Sequence, residues 1–112
     1  PTAWDVYAMA NVQAPTGDPE YWFTVFATSD ATRNQGKYSS EKLDNLEKEL
    51  SAEFDTDKRA ELAVQMQQTV LDDNAFVFCS FLKMSMISRA NVTGYESHAC
   101  DYYQVTANLD IN

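Results

Sequence analysis

The stretch from Gly36 to Phe78, GKYSSEKLDNLEKELSAEFDTDKRAELAVQMQQTVLDDNAFVF, limits the possible folds of this chain more than any other. Leu43, Leu46, Leu50 and Phe54 recur at spacings of three and four, which places them on one face of a helix. Lys42, Asp44, Glu47, Lys48 and Glu49 fall on its other faces. Ser39 or Ser40 supplies a hydroxyl oxygen for an unpaired N–H of the first turn. A second start follows at once. Asp55 or Thr56 can cap a further helix, in which Leu62, Ala63, Met66 and Val70 form the apolar stripe. Asp72, Asp73 and Asn74 end it, and Phe76, Val77, Phe78 and Phe81 suit a buried strand.

Either side of this hairpin the pattern favours strands. Trp4 to Val12 (WDVYAMANV) is rich in β-formers, with Trp4, Val6 and Ala8 on one face and Tyr7 and Met9 on the other. Apolar residues on both faces suit a central strand in a covered sheet. Gln13 to Pro19 (QAPTGDP) breaks the ladder with two prolines, a glycine and an aspartate. Pro19 suits the first position of a helix capped by Asp18, so Glu20–Thr28 (EYWFTVFAT) reads as helix, although its residue types also favour a strand. Ser29–Lys37 is a polar loop. Further strands are expected over Ala75–Phe81, Lys83–Arg89 and Tyr102–Ala107, with a turn at Val92–Gly94. The expected fold is α/β, a mixed sheet with flanking helices. Strand and loop occupy 1–19, helices 20–74 and strands 75–112.

The chain of 112 residues has Lys plus Arg 8 against Asp plus Glu 17, a formal charge of −9. Counterion release from phosphates needs a basic surface, so nucleic-acid binding is disfavoured. The acidic balance also serves solubility. No apolar run approaches the roughly 18 residues of a membrane helix. Hydrophobic residues make up 45%, which argues against disorder and permits a modest core in a single domain.

Cys79 and Cys100 are too far apart for a C-x-x-C redox or zinc motif. They are either a disulfide or two buried thiols, a choice that geometry makes. His98 lies beside Cys100 with Glu96 and Asp101 close by, which invites a metal reading or half of a thiol-protease dyad. H-x-C is no standard ligand spacing, and a catalytic cysteine needs a base held across space plus an oxyanion hole. No catalytic residue, metal ligand or cofactor is therefore assigned. Met84–Met86 and Trp22–Phe23 could line an apolar pocket, but core is the simpler reading.

Tyr38, Ser40, Leu43 and Leu46, then Asp55–Thr56–Asp57–Lys58–Arg59, then Leu62 and Gln67, stand in an order that resembles a known family. It is the C-terminal part of the extracytoplasmic solute-binding proteins of the peptide/nickel ABC importers. Gly17–Asp18–Pro19 upstream and Val92–Thr93–Gly94–Tyr95 downstream extend the likeness over most of the chain. Asp44 and Arg59 take the family's aspartate and arginine positions, and Gln67 or Gln68 its glutamine. The resemblance implies part of a periplasmic-binding-protein-like, type II lobe, and a chain that is the C-terminal piece of a longer exported protein. A complete small domain is the plainer alternative.

The resemblance also places the ligand beside the loop before Gly17. Val12 stands where peptide-binding members have a tryptophan, and Pro15 where they have an aspartate for the ligand's ammonium. Ser29–Lys37 holds no histidine of the kind nickel-chelate members can offer. The candidate ligand-binding residues are Gln13 and Thr16 in the first loop and Arg33 and Asn34 in the second. Arg33 could clamp a carboxylate, though a solvent-facing arginine is the commoner state of that residue. Arg59, in the first turn of the second helix, suits a structural pair with Glu53, Asp55 or Asp57.

The function implied is non-enzymatic: capture of a small solute (a peptide, a metal chelate or another molecule) outside the cytoplasm. A monomer, periplasmic or lipid-anchored, would close around the solute by a hinge motion and deliver it to an ABC membrane permease. Two alternatives from other classes are a stand-alone helical-hairpin domain that binds a protein, and a Cys/His hydrolase.

Overall fold

Ser40 starts the first long helix of the chain, its side chain accepting the Leu43 N–H at 3.4 Å. The computed structural model describes residues 5–81, 83, 85–98 and 105–111. Along these run α1 (Glu20–Trp22), a π-helical continuation (Phe23–Ala27), α2 (Glu41–Ala52), α3 (Thr56–Asp72), β1 (Val92–Thr93) and β2 (Asp110–Ile111).

The helix boundaries follow from local chemistry. Asp18 Oδ1 accepts the Glu20 N–H at 2.9 Å, and Pro19 adopts helical angles (φ −67°, ψ −21°), so aspartate and proline open α1. Past Trp22 the pattern widens: the Thr28 N–H reaches back five residues to the Phe23 carbonyl at 3.0 Å. Asp55 caps α3 by accepting the Lys58 N–H at 3.0 Å. At the far end Asn74 takes a left-handed conformation (φ 51°). There the Ala75 N–H returns to the Val70 carbonyl and that of Asn74 to Leu71, a Schellman ending that satisfies two orphan carbonyls.

The core is helical. Trp22, Phe23, Phe26 and Ala27 pack against Leu43 and Leu50 of α2 and Leu62, Met66 and Val70 of α3. Tyr38, Leu46, Ala75 and Phe76 seal its rim. Phe54, expected on the α2 stripe, is 92% exposed: α2 ends at Ala52, and the extended Glu53 turns the chain before a further helical turn can bring Phe54 round.

The expected mixed sheet is not formed, and the fold is not an α/β type II lobe. Three helices and one two-stranded sheet are the regular structure among the described residues. Residues 5–12 and 75–81 carry no ladder, and neither do the described positions of 83–89. Val6 is 85% exposed, Val77 87% and Ile87 91%. β-Propensity expresses packing against a neighbouring strand, and without one these residues have no sheet to join. The radius of gyration, 17.7 Å, exceeds the roughly 13 Å of a compact domain this long.

Val92–Gly94 is not a simple turn. Val92 pairs with Ile111 and Thr93 with Asp110 in an antiparallel bridge. Gly94 follows with φ 74°, and a Cβ there would lie 1.8 Å from the Asn108 carbonyl oxygen. The last strand falls at Asp110–Ile111 rather than within 105–107. Trp4, Met84, Cys100 and positions 102–104, which entered the expected strands and cysteine pair, lie outside the described residues.

Candidate functional site

Arg59 stands in the first turn of α3, where its guanidinium reaches both neighbouring helices. Nη1 donates to the Leu50 carbonyl at 2.7 Å and the Glu53 carbonyl at 2.9 Å, capping the end of α2. Nη2 meets Asp18 Oδ1 and Oδ2 at 3.0 and 2.8 Å and Glu20 Oε2 at 2.9 Å. Its two N–H bonds are shared among three carboxylate oxygens. The hydrogen bond to Glu20, reinforced by the charge of Asp18, raises the Arg59 pKa above its ordinary value. The structural role read from sequence holds, but the partners are Asp18 and Glu20, not the carboxylates of Glu53, Asp55 or Asp57. Glu53 contributes only its backbone oxygen.

This clamp holds the loop before α1 against α3, and the same loop and helix line a cleft of about 470 Å³. Gln13, Ala14 and Pro19 form its loop wall. Trp22 and Phe23 give the floor from the first helical segment, Gln67, Val70 and Leu71 the α3 wall, and Phe78 and Phe81 the mouth. The Trp22 ring lies 5.7 Å from Phe78 in a tilted pair and 5.4 Å from Phe23 edge to face. The cleft is apolar, with a carboxamide on two of its walls.

The four sequence candidates therefore separate. Gln13 lines the cleft. Thr16 is exposed in the adjoining turn, where the Gly17 N–H bonds the Ala14 carbonyl at 2.9 Å. Arg33 is exposed in the second loop, its N–H bonded to the Val25 carbonyl. Asn34 is committed to that loop: Nδ2 donates to the Thr28 and Tyr38 carbonyls at 3.2 and 2.6 Å, and Oδ1 accepts the Tyr38 N–H at 3.0 Å. Gln67 and Gln68 point in different directions from α3. Gln68 donates to Asp72 at 2.7 Å, whereas Gln67 faces the cleft. Trp22 and Phe23, which sequence reasoning allowed as pocket lining but preferred as core, belong to both; Leu71 was missed. The Pro19–Trp22 spacing and the i, i+4 pair Gln67–Leu71 are the signals that place these residues on one side.

Asp44 accepts the Ser29 N–H at 2.9 Å and so ties the end of the first helical segment to α2. Tyr38 donates to Asp73 at 2.5 Å; burial, and then this bond, push its phenol pKa up. Cys79 is exposed and not disulfide-bonded, and His98 is exposed. Among the described residues no group of three metal-ligating side chains comes together, and no helix is long and apolar enough to cross a membrane. A scan against protein-family models and searches of curated proteins and of solved structures find no match to this chain.

Proposed function

We propose that this chain is the C-terminal part of the solute-binding component of an ABC importer of the peptide/nickel type, working outside the cytoplasm. One observation carries the reading: Asp18 and Arg59, from two sequence elements of the resemblance, clamp the loop that carries Gln13 to the helix that carries Gln67, and both glutamines line one cleft. An apolar concavity with a few placed polar groups is the usual form of a small-molecule site. The activity is binding and release, with no bond chemistry. The helical unit supplies a rigid wall, and the solute passes to a membrane permease.

The test is the fate of the protein encoded by the intact reading frame, expressed in its own cell. Recovery outside the cytoplasm, with loss of uptake of one solute when the gene is deleted, supports the proposal. Retention in the cytoplasm overturns it.

A further inference from the structure

Resting on that reading of the cleft as a solute site, we infer that it takes a neutral, amide-bearing molecule with an aromatic group and turns away charged forms of the same molecule. Its walls carry the argument. Among the described residues lining it none is titratable, in a chain whose formal charge is −9. An ammonium or carboxylate entering such a cleft loses its water without gaining a counter-charge. The acidic exterior attracts cations to the surface, but nothing on the walls receives one. An anion is disfavoured both outside and within.

The walls also state what is welcome. Trp22 has the Phe23 ring at 5.4 Å and the Phe78 ring at 5.7 Å, the spacing at which a further ring adds offset or edge-to-face contacts. Neither the Gln13 nor the Gln67 carboxamide is hydrogen-bonded within the described residues, and each is exposed at the edge of the cleft. A carboxamide offers both a donor and an acceptor, and an amide is the group that uses both at once. The volume of about 470 Å³ lies within the range of small-molecule sites.

The experiment uses the chain with Trp4→Phe, which leaves Trp22 as its only tryptophan. Its emission is followed while three probes are added: N-acetylphenylalaninamide, which is neutral, phenylalaninamide, which carries an amine, and N-acetylphenylalanine, which carries a carboxylate. The neutral probe should change the emission saturably. Each charged probe should bind about tenfold or more weakly, because it leaves an uncompensated charge. Gln67→Leu, a change at an exposed position, should weaken the neutral probe by about tenfold while circular dichroism stays unchanged. No saturable change with the neutral probe, or equal binding of phenylalaninamide, overturns the inference. The two proposals fail separately. An exported parent whose loss abolishes uptake, with a cleft that ignores the neutral probe, refutes only the cleft assignment. Selective binding of the neutral probe by a chain whose parent stays in the cytoplasm upholds the cleft and refutes only the importer.

Discussion

Arg59 and Asp18 stand 41 positions apart in sequence, yet one guanidinium nitrogen meets both carboxylate oxygens, at 3.0 and 2.8 Å. The same guanidinium occupies two terminal carbonyls of α2. One side chain thus fixes the start of α1, the end of α2 and the start of α3. The Arg59 side chain is 20% exposed and that of Asp18 44%, so solvent screens the pair in part and the carbonyl and Glu20 bonds add to it. Arg59→Ala should lower the urea midpoint well below that of Lys58→Ala, whose partner Glu53 lies 3.9 Å from an exposed ammonium. Equal midpoints for the two variants would show that the clamp does not hold the helices together.

The α2–α3 contact makes a graded prediction. Leu43 and Leu50 are fully buried, and truncating either to alanine should cost about 2–5 kcal/mol. Leu46 sits at the rim and should cost less than about 2 kcal/mol, since fewer atoms leave a closed cavity. Chemical denaturation of the three variants checks the order. Leu46→Ala as the most damaging of them would reverse the assigned face.

Two glutamates give the hairpin opposite responses to pH. Glu53 accepts the Asp55 and Phe54 N–H groups, at 2.9 and 2.8 Å, and these bonds lower its pKa from the ordinary 4.5. Its stabilisation is present above 4.5 and is lost as pH falls through the lowered value. Burial, and then the nearby carboxylates of Glu20 and Asp30, raise the pKa of Glu47. Protonation there favours the fold, a benefit present below 4.5 and lost as pH rises through the raised value. At neutral pH, Glu53→Gln should therefore lower the thermal midpoint slightly and Glu47→Gln raise it slightly. On acidification the Glu47 difference should shrink first, through the raised value, and the Glu53 difference only later, through the lowered one. Shifts of the same sign in both variants at neutral pH would contradict these assignments.

Gly94 tests the small sheet. Its φ of 74° and the 1.8 Å approach of a built Cβ to the Asn108 oxygen leave no room for a side chain. Gly94→Ala should abolish the cross-strand Thr93–Asp110 contact seen by NMR, and leave the helical far-ultraviolet signal intact. Persistence of that contact would mean that the two strands do not meet as described.

The helices were legible because each boundary is written locally. Ser40, Asp55, the Asp18–Pro19 pair and Asp73–Asn74 signal through their own side chains within a few residues of where they act. The stripes Leu43/Leu50 and Leu62/Met66/Val70 repeat at the helical period. The sheet was not legible in the same way. Val6, Val77, Phe81 and Ile87 have the composition of strands, but a strand is completed by a partner, and nothing in the run itself says whether one is present. Similarly, the loop of Gln13 reads as an ordinary solvated loop apart from the resemblance, and the partners of Arg59 depend on where the loop before α1 meets α3. Asn34 stands beside Arg33 in the second loop, but that loop folds round its side chain.

The central claim is that the protein encoded by the intact reading frame carries a small solute. Its most direct test is denaturation of that protein, purified intact from the medium or cell envelope, with mass spectrometry of what is released. A neutral small molecule, released in about one-to-one ratio and restoring the thermal midpoint when added back, is the expected result. Purified protein that releases no small molecule, and instead comes away with a bound polypeptide, would contradict the account.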